Sequence, residues 1–570
     1  MMGPGWRGWL ASPRAPVAFA LIALVLASPS LVAGLATEDF VLRANAARPL
    51  TEGLDLYSAL RTAADVQIGQ REGFLPWLAS PELRISFFRP LSSLWTVFDY
   101  RVLGDAVWLM HVESIVLFAA LVGLVATLLR RIVPEAWVAG LAGLIYAVDD
   151  VHGHAVGWLA NRNAVLAAAF GFGALLSHDR WRRDGSRVHA WLAPALLGLC
   201  LGSSELGLAA LAYFVSYTLF LDGGPRRWLA LLPALSVVLG WAVLYRALGY
   251  GSSGSGIYLD PIGAPLTFAS ALPSRMGALL LGQLGYPPAD AWVGLGDGSQ
   301  LWLALAGAAA FGALVVATRS AGRSRGALRF GLAGMLLSLV PAAATAPSDR
   351  TLLFAGLGAA IGLATLISLA LERASLALKT LALSAAVLHL VAAPALLPWR
   401  SLTMKRFHDH ALAASASAYA NVTSGDDLVV AFGAPDYYFC SLMRALHHLA
   451  VRRPAPAMVC LYAGRGSVEI ARVDDNALSL RAPAGYLEEP FNRIFRSRAS
   501  PLRAGDRVYI GTLEALVTES TPAGEPVAVT FRFNWPLASE RLRFVDWNGT
   551  SFVPTTPPRA GERRVLEPTR

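Results

Sequence analysis

Residues 108–129 read WLMHVESIVLFAALVGLVATLL. Only His111 and Glu113, both near the start of the run, are ionisable. At about 1.5 Å of rise per residue, such a run crosses the ~30 Å hydrocarbon core of a bilayer as one helix. Comparable runs lie near 15–36, 134–149, 159–177, 188–203, 206–222, 228–248, 300–318, 328–345, 351–371 and 380–398, which makes eleven expected spans. Residues 266–285 are also apolar, but Pro273 and Arg275 interrupt them, and an interfacial helix is expected there.

The composition agrees. The 570 residues are 55% hydrophobic and 15% charged, against roughly 25% charged in soluble chains. That balance excludes an ordinary soluble enzyme and a disordered chain. The net charge of +9 invites a nucleic-acid reading, so the position of the charge matters. Of 48 basic residues only Lys379 and Lys405 are lysines. Arg130, Arg131, Arg180, Arg182, Arg183, Arg187, Arg226, Arg227, Arg319, Arg323, Arg325, Arg329 and Arg373 fill the short loops of one side. The other side's short loops carry Arg162, Arg275 and Arg350. The positive-inside rule places the first set, and the N-terminus with Arg7 and Arg14, in the cytoplasm. An odd number of spans then leaves the C-terminus extracytoplasmic. The excess charge is topological, and no nucleic-acid partner is called for.

The expected fold is therefore an all-α polytopic membrane domain, residues 1–398, followed by an extracytoplasmic soluble domain, 399–570. External loops lie at 37–107 and 249–299. In the soluble domain Leu428–Phe432 and Ala457–Leu461 read as buried strands around a helix from Tyr437 to Leu449. Alternating runs such as 507–510 and 527–533 then read as antiparallel strands, giving an α/β-plus-β domain. Cys440 and Cys460 lie in this domain, where an oxidising compartment would permit a disulfide.

Ionisable residues beside membrane spans are the informative ones, and here they gather at the external helix ends. Glu38-Asp39 follows the first span; adjacent carboxylates suit a general base, a divalent cation or plain solvated surface. Asp149-Asp150-Val151-His152-Gly153-His154 joins the third and fourth spans. Its side chains could ligate a metal, bind phosphate or sugar hydroxyls, or form a solvated turn. Glu205 marks the hinge between spans five and six, and Asp349-Arg350 lies between spans nine and ten. Arg89, in the first external loop, joins Arg162 and Arg350 as a candidate fork for phosphate. A transporter would instead place its polar groups near the midplane of two repeated halves, and no internal repeat is visible.

At these residues the chain resembles the GT-C superfamily of integral membrane glycosyltransferases, and in particular the transmembrane O-mannosyltransferase-like proteins. Phe87-Phe88-Arg89-Pro90-Leu91, with Asp99-Tyr100 and His111, is similar to that family's FRPL-type segment. Residues 155–163, AVGWLANRN, are similar to its EAVAW-x-x-GRN stretch, with His152 at its histidine position. Leu201-Gly202-Ser203-Ser204-Glu205 and Asp349-Arg350-Thr351-Leu352-Leu353 are similar to its LLSKE and ERYLYLP-like segments. Departures are Asp149-Asp150 in place of His-Pro, His154 in place of glutamate and Ser204 in place of lysine. The tetratricopeptide repeats of many relatives are not visible.

The resemblance implies an enzyme that moves a sugar from a polyprenyl-phosphate donor to a hydroxyl of a protein, lipid or glycan. It implies Asp39 as base or divalent-metal contact, assisted by Glu38. Donor or acceptor binding falls to Arg89, Asp149, Asp150, His152, His154, Arg162, Glu205 and Arg350. It also implies that helix one stays uncleaved although residues 33–36 look like a signal-peptidase site, and that the chain sits in a bacterial inner membrane. The other two readings are a transporter or flippase for a lipid-linked glycan and a non-catalytic membrane scaffold.

Overall fold

The computed structural model describes residues 5–49, 55–373, 375–422, 424–451 and 455–567. They form two compact units. The first comprises residues 1–58, 87–250 and 265–405, and the second residues 59–86, 251–264 and 406–570. Parts of both expected external loops thus fold with the C-terminal residues, where 1–398 and 399–570 were the expected boundaries.

The first unit is helical, and the chain is an integral membrane protein. Among the described residues seven helices are long and apolar enough to cross a membrane. They are Ala15–Val32, Val107–Ile132, Leu159–Asp184, Leu229–Ala247, Gly298–Thr318, Ala355–Glu372 and the run that starts at Leu376. Seven of the eleven expected spans are met. The other four become Ala136–Val148, Arg187–Ser203, Leu208–Phe220 and Arg325–Ala342, of 13, 17, 13 and 18 residues. A 13-residue helix is about 20 Å long, short of the ~30 Å core. Ten residues of Ala136–Val148 are buried. The stretch at 266–285 forms Pro265–Leu284, which packs lengthwise on the helix after it, Gly277 facing Ala304 and Gly307.

Two long helices set the polarity of the unit. Val107–Ile132 and Arg162–Asp184 run parallel, because Arg162 reaches Met110 and Ser114 at one end while Arg131 pairs with Asp179 and Asp184 at the other. The arginine-rich end and the end bearing Asp39, Glu113 and Arg162 are thus separated by a 26-residue helix, about 39 Å.

The second unit contains two larger sheets and a small three-stranded one in which Arg84–Ser86 pairs with Gly251–Ser253. In the four-stranded sheet, Leu428–Ala431 is flanked in parallel by Met458–Cys460 and Leu542–Trp547, and Phe552–Pro554 completes one edge. The helix Tyr437–Val451 connects the first two of these strands, as the sequence pattern predicts. In the six-stranded antiparallel sheet the centre is Pro526–Phe533, between Ala477–Arg481 and Leu513–Ser520. Alternate burial along Leu513–Val517 gives one wet and one packed face. Trp77, from the first long loop, is sealed in this core. Its ring meets Tyr486 and Phe531 edge-on at 5.6 and 5.3 Å, and its indole N–H donates to the Leu461 carbonyl. Cys440 and Cys460 are buried free thiols.

Candidate active site

The site is built around the exit of the first membrane helix. The α-helix Ala15–Ala27 tightens into a 3-10 turn, Ser28–Val32, that admits Pro29. The chain then reverses through Gly34 at φ 71° and Thr37 at φ 46°. Glycine takes such a φ freely, whereas a β-branched threonine pays of order 1–3 kcal/mol. This turn starts the helix Glu38–Ala46, with both carboxylates in its first turn, where the helix dipole favours negative charge.

Asp39 is 1% exposed. Its Oδ2 accepts the Ala36 N–H at 2.8 Å and its Oδ1 the Ala160 N–H at 2.6 Å. Tyr100 Oη donates to the Asp39 carbonyl at 3.1 Å, and His111 Nε2 lies 2.9 Å from the Gly34 carbonyl. Burial pushes the Asp39 carboxyl up to about 8, against the opposing pull of the two N–H donors. Glu38 is half-buried and accepts the Thr37 hydroxyl at 2.5 Å.

The Trp158–Asn163 turn joins Asp39 to the remaining polar residues. Arg162 is buried and saturated: it bonds Asp99 at 2.6 Å, Ser114 Oγ at 2.8 Å and the Met110 carbonyl at 2.7 Å. Glu113 stands 3.4 Å from it and accepts the Trp95 indole N–H. Burial raises Asp99 to about 7 in spite of Arg162. Arg89 is committed as well. It pairs with Glu205 at 2.7 Å and lies over the Phe87 and Tyr57 rings. Ser92 Oγ donates to the Ser203 carbonyl and ties the two segments together.

A second group of carboxylates surrounds Arg400. Arg400 pairs with Asp150 at 2.8 Å, with Asp349, and with Asp290 at 3.5 Å. The short helix His152–Gly157 permits this, because Gly153 and Gly157 lie directly on the backbone of Leu397–Ser401. A Cβ on Gly157 would sit 1.8 Å from the Ser401 carbonyl oxygen. Asp149 accepts from Gln283 Nε2 and the Val151 N–H, and burial raises it to about 8. Burial also raises Asp349, to about 7. His154 stacks on Trp158 and stands 4.0 Å from Asp290. Arg350 lies over the Trp158 ring and reaches Asn161 Oδ1 at 3.4 Å.

Asp39, Arg162, Arg350, His154, Asp149 and Asp150 therefore gather around residues 149–163, and Arg89 with Glu205 forms a separate pair. His152 does neither: it is enclosed by Tyr146 and Phe118, with ring centroids at 4.6 and 5.5 Å, and belongs to the core. Asp99, Gln283, Asp290 and Arg400 were not singled out as site residues. Asp99 lay within the quoted motif and Arg400 closes the last apolar run, but nothing local marks Gln283 or Asp290. Among the described residues no three His, Cys, Asp or Glu side chains are grouped to hold a metal ion. Asp39 Oδ1 and Oδ2 each accept one backbone N–H.

The chain is an integral membrane protein with a polytopic helical unit, a β-rich second unit and a buried polar cluster at one helix end. No family model matches the chain. The human and mouse proteins named Protein O-mannosyl-transferase TMTC2 are each 29% identical to it over 140 residues, 23% of this chain and 16% of theirs. The chain thus aligns with less than a fifth of the length of those relatives. Among solved structures, ArnT from Cupriavidus metallidurans bound to undecaprenyl phosphate matches at 15% identity and a TM-score of 0.38, over 78% of this chain and 89% of that one. Its apo form gives the same score and identity over 77% and 89%.

Proposed function

We propose that the protein is a membrane glycosyltransferase that moves a sugar from a polyprenyl-phosphate donor to an acceptor hydroxyl at the extracytoplasmic face, with Asp39 as the base. The observation that carries this reading is the setting of Asp39. It is a buried carboxyl directly after the first membrane helix, tied to the turn that also bears Arg162 and meets Arg350. The O-mannosyl-transferase name of the curated relatives supports the same class. A site at the end of membrane helices suits a donor whose tail lies in lipid.

Each Asp39 oxygen keeps a lone pair beyond its N–H bond. One of them takes the proton of the acceptor hydroxyl. The freed oxygen attacks the anomeric carbon, the carbon–oxygen bond to phosphate breaks, and its electron pair leaves with the polyprenyl phosphate. A single displacement of this kind inverts the anomeric configuration. Glu38, held by Thr37, adds negative charge beside the base.

The test uses purified full-length protein in proteoliposomes with polyprenyl-phosphate sugars and peptide, lipid or glycan acceptors. Asp39→Asn is expected to lower transfer by about 10²–10⁴-fold, and Glu38→Gln by less than tenfold. Full transfer by Asp39→Asn would remove Asp39 from the chemistry. Movement of the lipid-linked sugar across the bilayer without donor cleavage would favour the flippase reading.

A further inference from the structure

The chain has three cysteines in 570 residues, and the first unit holds only Cys200. Cys440 and Cys460 both fall in the second unit, and the fold brings them together. Cys440 lies in the first turn of the helix Tyr437–Val451. Cys460 ends the strand Met458–Cys460, against which that helix packs. The two thiols are hydrogen-bonded to each other, and the Cys460 thiol lies 2.8 Å from the Tyr462 carbonyl oxygen. Both line one small cavity, together with Trp77, Tyr437 and Met458. A buried residue touches about 6–12 others, so two cysteines set at random in a unit of this size would rarely meet.

The place of Cys460 gives this contact a use. Its strand is three residues long and stands at the edge of the four-stranded sheet, paired in parallel with Leu428–Ala431. A short parallel edge strand has few ladder bonds to hold it, and each is slightly weaker than in an antiparallel pair. A covalent link to the helix fastens that edge. The orientation expected from the arginines also places this unit outside the cytoplasm, where thiol pairs are oxidised.

We propose that Cys440 and Cys460 form a disulfide that staples the helix Tyr437–Val451 to the edge strand Met458–Cys460, while Cys200 stays a thiol. The bond forms by exchange with a disulfide oxidant of the compartment. One thiolate attacks that disulfide and expels its first thiol; the second thiolate attacks the mixed disulfide and expels the other. The pair gives up two protons and two electrons, and the oxidant becomes two thiols. Cys440 and Cys460 are 4% and 5% exposed. Burial and the adjacent Cys440 hold the Cys460 thiol well above its usual range. A buried protonated thiol is a poor nucleophile, so the exchange runs while the unit folds, and the closed fold then shields the bond from reductants. This inference is independent of the sugar-transfer reading.

Thiol counting on the full-length protein tests the bond. Membranes from expressing cells are dissolved in SDS with excess maleimide-polyethylene glycol, which adds a fixed mass to each free thiol. Of the three cysteines, the unreduced wild type is expected to label only Cys200, and all three after dithiothreitol. Cys440→Ser and Cys460→Ser should each label Cys200 and the cysteine left without its partner. The count is made on denatured chains, so a variant that folds poorly still reports. Labelling of all three cysteines in the unreduced wild type would overturn the proposal, as would a link from either cysteine to Cys200 or to a second chain in a peptide map. Limited proteolysis of the folded protein tests the staple. The double variant Cys440→Ala, Cys460→Ala is expected to be cut several-fold faster between residues 437 and 460, and cutting at the wild-type rate would overturn the stapling role.

Discussion

At the scale of single residues, the decisive quantity is the burial of Asp39. A base must be ionised to act, and burial pushes this carboxyl up to about 8. Transfer at limiting substrate is therefore expected to rise with pH and reach half its plateau near pH 8. A profile flat from pH 6 to 9 would contradict Asp39 as the base. The same shift bears on stability. The folded chain holds a proton here that the unfolded chain releases above about pH 4. This carboxyl thus costs stability progressively as pH rises from about 4 to about 8. Asp39→Asn removes that slope, which thermal midpoints across the range would reveal. Arg162 offers a separate check. Removing it leaves Asp99 buried without its cation, so Arg162→Met should cost about 3–5 kcal/mol, read as a lowered thermal midpoint and poor membrane yield. These pairings were partly legible in advance. The position of Asp39 after helix one and the arginines 89, 162 and 350 stand out in the chain. Which arginine is saturated does not, because Asp99 is 63 residues from Arg162 and Glu205 is 116 from Arg89.

At the scale of elements, the short helix His152–Gly157 decides how the second carboxylate group is assembled. Its glycines let Leu397–Ser401 lie against it at backbone distance, which delivers Arg400 to Asp150, Asp290 and Asp349. Gly157→Ala must push that segment away, because the new Cβ would overlap the Ser401 carbonyl. A loss of about 1–3 kcal/mol is expected, seen as a lower thermal midpoint and as greater protease sensitivity in residues 393–405. Arg400→Ala keeps the backbone contact and removes the charge. The three carboxylates then repel one another when ionised, so this variant is expected to lose more stability at pH 8 than at pH 5.5. Equal losses at both pH values would show that Arg400 acts by packing. The run at 393–401 reads from sequence as the end of a span. Only the glycine contact shows that it delivers Arg400 to the carboxylate cluster.

At the scale of the whole molecule, arginine placement makes a prediction about orientation. Arg187 and Thr550 are exposed, and the three native cysteines are buried. With the N-terminus cytoplasmic, Thr550→Cys is expected to react with a membrane-impermeant maleimide in intact spheroplasts. Arg187→Cys should react only after permeabilisation. The opposite pattern would invert the topology.

The sequence by itself determined the class: apolar runs of bilayer length, arginines sorted to one set of loops, and a strand-rich C-terminal third. These are local quantities, since hydropathy and charge act residue by residue along each helix. Composition does not tell an apolar run buried against neighbouring helices from one that faces lipid. Tertiary structure alone decided which carboxylate meets which arginine, that His152 belongs to the core, and that Trp77 belongs to the second unit. Those outcomes depend on contacts between segments up to several hundred residues apart. There, close packing and the cost of leaving a buried charge or N–H unpaired select one partner from many.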